Sequence, residues 1–361
     1  MQKKKRKRKK KNRKRKPGFK SVFYMGDETV NYIGSKHSLM DFLTETVWQV
    51  AGNDNKMVFA DLFAGTGAVG SRFKEMGYRV IANDIQYYSY VLNRHLIGNN
   101  PPLNAEKFAY LNELEGVEGF VFKNYCAGSG SGRNYFKDEN GKKCDAVRKE
   151  LERLKNSGEA SDAEYYYLLA SLINSIDKYA NTASVYGAFL KNIKKTAAKD
   201  FKLELLPVIG GNEACKVYNE DIKSLIRKIK GDILYLDPPY NSRQYCANYH
   251  VLETVARYDN PKLRGKTGLR EYSVQKSEFC SSKAVLRAFE YIIRNADFKY
   301  IFLSYNNEGL MSFCDIENIM KKYGDYKVYM REYKRFKADN DEKRNHKDKS
   351  TVEYLHCLVK N

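Results

Sequence analysis

The sequence predicts an α/β protein built on a Rossmann-like, mostly parallel sheet that carries a largely helical insertion, and three observations lead to it. Met57 to Phe63 (MVFADLF) is an apolar run that passes into AGTGAVG and then a helical pattern, so strand, glycine turn and helix follow one another. Tyr78 to Asn83 (YRVIAN) is a second apolar run and ends in Asp84. Ile233 to Leu236 (ILYL) is a third and ends in Asp237-Pro238-Pro239-Tyr240. Open α/β sheets bind ligands at the carboxyl ends of their strands, and that is where these acids, glycines and prolines fall.

Length and composition set the frame. With 361 residues, 42% of them hydrophobic and 13% aromatic, the chain can fold as one large domain with an insertion or as two domains. No apolar run approaches about 18 residues, so no membrane span is expected, and the amino terminus lacks the apolar segment of a signal peptide. Cys126, Cys144, Cys215, Cys246, Cys280, Cys314 and Cys357 are scattered without a C-x-x-C pair. That is the pattern of reduced structural thiols in a cytoplasmic protein, and no metal is expected.

The formal net charge of +20 is unevenly spread: residues 3 to 16 hold 13 Lys or Arg, which leaves 51 basic against 44 acidic residues elsewhere. Residues 1–20 are therefore expected to form a disordered polybasic tail. Three readings of it stand: an arm for nucleic-acid phosphates, a nuclear-targeting run, or an upstream start with no role. The residual positive balance still favours an acidic partner.

In chain order, Tyr24 to Val30 reads as a connector. Gly34-Ser35 then opens a helix on which Leu39, Phe42, Leu43 and Val47 share a face, with Lys36 beside a plausible anion seat. In the glycine turn, Gly65 and Gly67 let the backbone approach a ligand closely. The pattern Asp61-x-x-x-Gly65-x-Gly67 is neither the full dinucleotide fingerprint nor a phosphate-binding P-loop. Asp84, at the end of the second strand, is placed to accept ribose hydroxyls, or else it caps the helix expected from Ile85 to Leu96.

From 97 to 215 the alternation lapses, and this stretch reads as an insertion. Ala127 to Asn134 (AGSGSGRN) reads as a mobile loop and Glu164 to Ala180 as a helix with one apolar side. The segment NTASVYGAFLKNIKK (181–195) interleaves basic and aromatic residues, which suits either a nucleic-acid surface or a solvated helix edge. Val217 to Glu220 leads as a short strand into Asp221, followed by a helix from Lys223 to Lys230. Asn248 to Arg270 reads as a basic loop, Lys283 to Ala296 as a helix and Tyr300 to Ser304 as a strand. Two further strands, Lys327 to Phe336 and Val352 to Val359, flank a charged loop from Lys337 to Ser350. Asp237 to Tyr240 is a stiff path out of the sheet, because neither proline offers an N–H and both fix φ; it serves either as a strand terminator or as a rigid ligand-holding turn.

Taken in order, YIGSK, DLFAGTGAVG, NDI, NED, DPPYNSRQY, LSYNNEG and the closing VEYL resemble the motifs of the D12-class adenine-N6 DNA methyltransferases, from about residue 31 to the end. The resemblance implies S-adenosylmethionine as cofactor and double-stranded DNA as partner, with a cognate restriction endonuclease acting on the same site. It places Tyr32, Lys36, Asp61, Gly65, Gly67, Asp84, Asp221 and Asp237 at the cofactor, with Lys36 near its methionine carboxylate and Asp221 at its adenine amine. Asp237, Pro238, Pro239 and Tyr240 become the catalytic motif, the tyrosine stacking on a flipped-out adenine. The catalytic domain is expected at 21–96 and 216–361. Target recognition is expected in the 97–215 insertion with the 248–270 loop. An RNA adenine as substrate, or a nucleic-acid-binding protein with a dead site, are the competing readings.

Overall fold

A computed structural model describes residues 30, 32, 34, 36–334 and 350–361; the polybasic tail, most of the following connector and the charged loop at 337–349 lie outside the described residues. Seven strands form one sheet in the order β3-β2-β1-β4-β5-β7-β6. They are β1 Val58–Asp61, β2 Arg79–Asn83, β3 Lys216–Tyr218, β4 Lys230–Leu236, β5 Asp297–Asn306, β6 Gly324–Lys334 and β7 Ser350–Lys360. The first five run parallel, and β7 lies antiparallel between β5 and β6. Because β1 pairs with β2 on one side and β4 on the other, the order reverses there, and the carboxyl ends of β1 and β4 flank the switch point.

Helices cover both faces, which is why the central strands are continuous apolar runs rather than alternating ones. On one face, α1 (Met40–Ala51) and α2 (Ala68–Glu75) pack Leu43, Val47, Val69 and Phe73 on Phe59, Val80, Ile233, Tyr235 and Phe302. Five more helices follow in the chain: α3 (Tyr87–Leu96), α4 (Phe120–Tyr125), α5 (Asp138–Asn156), α6 (Asp162–Lys178) and α7 (Ile222–Leu225). Beyond the sheet's centre come α8 (Tyr245–Asn248), α9 (His250–Arg257), α10 (Val285–Asn295) and α11 (Phe313–Lys321). The other sheet face buries Ala60, Ile81, Leu234, Leu236 and Ile301 against Leu225, Phe289, Ile292 and Met320 of α7, α10 and α11.

The 97–215 stretch does not build a core of its own. Val147 and Leu151 of α5 and Leu168, Leu172 and Ile176 of α6 share one apolar cluster with Tyr88, Val91 and Leu92 of α3 and Val251, Leu252 and Val255 of α9. A capping box, Ser161 with Glu164, starts α6 two residues before the expected Glu164. Arg148 of α5 is buried and donates through Nε to Val255 O (2.9 Å) and through Nη2 to Ala256 O (3.0 Å). A guanidinium on the last carbonyls of α9 satisfies groups the helix leaves open and complements its dipole.

Several expectations change. The basic loop from Asn248 to Arg270 contains the buried helix α9, because Val251, Leu252, Val255 and Ala256 recur at helical spacing. The helix expected from Lys223 to Lys230 is one turn, Ile222–Leu225, since β4 already begins at Lys230. In the 181–195 segment, which is not helical, Asn181 and Tyr186 are fully buried, and the Tyr186 hydroxyl donates to Asp177 (2.6 Å). That ring belongs to the core and is not available to stack on a base. The glycine-rich Ala127 to Asn134 loop is tied down: Ser129 Oγ donates to Cys126 O (2.7 Å), and Arg133 donates to the carbonyls of Asn124, Gly265 and Lys266.

Candidate active site

A cleft opens where the carboxyl ends of β1 to β4 meet, walled on its far side by Gln275 to Phe279. Of the residues singled out in the sequence, Tyr32, Lys36, Asp84, Asp221, Asp237, Pro238, Pro239 and Tyr240 line it together, although they come from segments far apart in the chain. Asp61, Gly65 and Gly67 are not on its wall.

At the end of β4 the turn through Pro238 and Pro239 brings the Tyr240 hydroxyl back to Asp237 Oδ1 (2.9 Å). Lys36 Nζ reaches the same Oδ1 (3.0 Å), the Tyr240 oxygen (3.0 Å) and Glu353 Oε1 (3.3 Å). The Tyr240 hydroxyl also faces Glu353 Oε1 at 2.7 Å. One ammonium therefore serves two carboxylates and a phenol while lining the cleft, and it also donates to Gly34 O (3.4 Å). Burial works to lower the Lys36 pKa, but Asp237 and Glu353 outweigh it and hold the ammonium charged. Burial pushes the Asp237 carboxyl above its ordinary range, Lys36 pulls it back, and Glu353 pushes it up again. The Tyr240 ring packs on Tyr305, with centroids 4.7 Å apart, and also borders the cleft.

The β2 end is built differently. Asp84 accepts backbone N–H groups, Gly65 N on Oδ2 and Gln86 N on Oδ1, both at 2.9 Å. It thus stands at the entry to α3 without being its cap, since Gln86 takes that position. Burial pushes the Asp84 carboxyl up to about 6 against the pull of those N–H groups. Asp61 is buried beneath the glycine turn, where burial and the nearby Asp237 and Asp84 raise its pKa well above the ordinary range while Phe63 and Gly70 N–H groups oppose them.

The glycines are needed by the protein itself. A Cβ on Gly65, which has φ +52°, would lie 2.9 Å from the Tyr32 ring, and one on Gly67, with φ +84°, would lie 2.9 Å from Asn93 Oδ1. Asn93 Nδ2 in turn donates to Gly65 O (3.0 Å), so α3 and the turn are locked together. Tyr32 lies over the turn and stacks on Tyr249, with centroids 4.9 Å apart.

Asp221 caps α7 through Lys223 N (3.0 Å) and Ser224 N (3.2 Å), both on Oδ1, while lining the cleft. Its neighbour Asn219 donates to Asp84 O (2.7 Å), which joins the ends of β2 and β3. Sequence reasoning assigned no role to Glu353, Gln244 or Gln275. Glu353 was legible as an acid in an otherwise apolar strand (VEYLHCLV). Gln244 exchanges two hydrogen bonds with the Ser277 backbone, and Gln275 donates to the buried Glu253 (2.7 Å), so both fix the far wall.

The family model of the D12 class N6 adenine-specific DNA methyltransferase matches residues 32–319. The type II methyltransferase M.NlaIII of Neisseria lactamica is 54% identical over 92% of this chain and 99% of its own. M.CviAII of Paramecium bursaria Chlorella virus 1 is 37% identical over 86% and 93%. M.FokI of Planomicrobium okeanokoites is 42% identical over 86% of this chain, which spans only 50% of that relative. Among solved structures, the SAM-dependent methyltransferase of Agrobacterium tumefaciens aligns over 91% of this chain and 64% of its own, at 12% identity and a TM-score of 0.33. The chain belongs to the D12 class of N6 adenine-specific DNA methyltransferases, enzymes that move a methyl group from S-adenosylmethionine to adenine N6 in DNA.

Proposed function

We propose that the protein is the modification methylase of a type II restriction system, acting in the cytoplasm on an adenine flipped out of duplex DNA at a site shared with a cognate endonuclease. Its similarity to type II methyltransferases supports the restriction link. The observation that carries the chemical reading is Asp237, which sits at the switch point and lines the cleft, with both of its side-chain contacts among the described residues on Oδ1, which leaves Oδ2 for a ligand.

The cleft suits S-adenosylmethionine: aromatic Tyr32, Phe63 and Phe279 border it together with the carboxylates of Asp84, Glu220 and Asp221, acceptors for the hydroxyls and amine of an adenosine. Asp84 would accept from the ribose and Asp221 Oδ2 from the cofactor's adenine amine. Gly65, Gly67 and Asp61 would act by shaping the turn beneath it. When bound, the cofactor supplies a sulfonium methyl that needs no metal.

The target amine is a poor nucleophile because its lone pair is delocalised into the ring. Asp237 Oδ2 and the Pro238 carbonyl would accept its two N–H bonds, turn the nitrogen toward a tetrahedral geometry and stabilise the positive charge it gains. Alignment supplies much of the remaining acceleration. Pro239 stiffens the turn, and Tyr240 is the platform for the base. Extrusion costs a few kcal/mol, of which stacking returns about 1–3 kcal/mol. The insertion, with Arg133 clamping the Arg264 to Leu269 turn, is the candidate reader of sequence, and the polybasic tail adds phosphate contacts.

Incubation with labelled cofactor and either duplex DNA or RNA tests the assignment. Label at adenine N6 in DNA is expected. Label in RNA alone would move the substrate, and intact cofactor binding without transfer would leave a nucleic-acid-binding protein. Mapping modified adenines in cells that express the protein would identify the recognised sequence.

A further inference from the structure

We propose that Glu353 is a positioning residue for methyl transfer, which keeps Asp237 only partly neutralised by drawing on the Lys36 ammonium and the Tyr240 hydroxyl. The inference rests on the role proposed for Asp237. Glu353 is itself buried within β7, one residue before the buried run Leu355, His356, Cys357 and Leu358, from which the half-buried Tyr354 separates it. A charge placed there is costly unless it is paired and hydrogen-bonded. It is paired, 3.3 Å from Lys36 Nζ, but that ammonium is also 3.0 Å from Asp237. The buried group thus holds two carboxylates and one cation, a net charge of −1. Tyr240 adds a second shortage: its one hydroxyl hydrogen faces acceptors at 2.7 Å on Glu353 and 2.9 Å on Asp237.

The consequence falls on the reacting nitrogen. Without Glu353, Lys36 and Asp237 would form a balanced ion pair, and the carboxylate would be a weaker acceptor. With it, the surplus negative charge is expressed at Asp237, which faces the cleft. Transfer forms the N6–CH₃ bond with the nitrogen lone pair and breaks the S–CH₃ bond, whose electrons pass to sulfur. The nitrogen carries the positive charge until one of its protons leaves to Asp237 and then to water. A fixed negative environment stabilises that developing charge. Among the described residues, the charged and titratable groups facing the pair are Lys36 from the amino-terminal segment, Asp61 of β1, Tyr235 of β4, Tyr240 of the turn after it, Tyr245 of α8 and, opposite Glu353 in register, Arg331 of β6.

The test uses the full chain and compares Glu353→Gln with Glu353→Asp by single-turnover methyl transfer across pH, with S-adenosylhomocysteine affinity measured by calorimetry. For Glu353→Gln we expect transfer to fall about tenfold or more, the usual cost of losing a group that supports a contacting one. Product-analogue affinity should stay within about threefold of wild type, as expected for an interaction that strengthens mainly in the transition state. The acid limb of the rate profile should move to lower pH, because removing a like charge eases ionisation of Asp237. Glu353→Asp, which keeps the charge but withdraws it by one methylene, should fall between wild type and Glu353→Gln in both rate and limb. A Glu353→Gln rate within about twofold of wild type with an unmoved limb would overturn the inference, as would a Glu353→Asp no better than Glu353→Gln. If Glu353→Gln does not fold, Glu353→Asp decides alone: a limb moved part-way supports the inference, and wild-type behaviour overturns it. Transfer to adenine by the wild type tests the underlying role of Asp237 separately.

Discussion

Asp237 and Asp84 face the same cleft from the ends of β4 and β2, yet they are held in opposite ways. Asp237 is held by side chains that carry charge, Lys36 and, through it, Glu353, with Tyr240 bridging. Asp84 is held by the backbone N–H groups of Gly65 and Gln86. A carboxylate controlled by other side chains can be retuned by one substitution, whereas one held by backbone responds chiefly to pH. At the proposed catalytic end of the cleft one substitution can retune the carboxylate, whereas at the proposed cofactor end the backbone fixes it.

The largest way to break this contrast is Lys36→Met, which strands Asp237 and Glu353 together in a buried site. Loss of one partner from a buried ionic group costs about 3–5 kcal/mol, and denaturant titration should show a fall of that size, with transfer lost as well. A much smaller loss would mean that the two carboxylates share a proton without the lysine. Asp84→Asn should act at the other end, weakening S-adenosylmethionine binding about tenfold near pH 7.5, the worth of one charge-assisted hydrogen bond, and costing about 1–3 kcal/mol of stability, because the amide nitrogen replaces one of the two oxygens that accept Gly65 N and Gln86 N. Calorimetry checks both halves of that statement.

The smallest effect sharpens the contrast by pH alone. Burial pushes Asp84 up to about 6, so wild-type cofactor affinity should weaken by at most about tenfold per unit as the pH falls below that value. Asp84→Asn should flatten the curve. Stability runs the other way: a carboxyl that protonates more readily in the folded chain stabilises it most below the ordinary carboxylate range, and this contribution is lost as the pH rises through about 6.

The parallel strands and their terminal acids were legible because continuous apolar runs ending in Asp, Gly or Pro have few other structural meanings. What Lys36 does was not, since nothing local says that residues 36, 240 and 353 converge; only the antiparallel insertion of β7 beside β5 brings Glu353 to Lys36. Gly65 and Gly67 were legible as close approaches, but what approaches is Tyr32 and Asn93 of the chain itself. Helix α9 was hidden among loop-like neighbours, Asn248 before it and Asp259-Asn260-Pro261 after it. Its apolar residues are partnered by α3 and the insertion, whose contribution is visible only once the common core is assembled.

The account's central claim is that the Asp237 carboxylate, and not the shape of its turn alone, enables the amine to react. Single-turnover transfer by Asp237→Asn tests it most directly, because the amide keeps the side chain's size and one acceptor but removes the charge and puts a donor against the amine. We predict DNA and S-adenosylhomocysteine affinities within about fivefold of wild type, since phosphate contacts dominate DNA binding, and transfer slower by about a hundredfold or more, the scale of losing a group aimed at developing charge. Transfer within about tenfold of wild type, with binding intact, would contradict the claim.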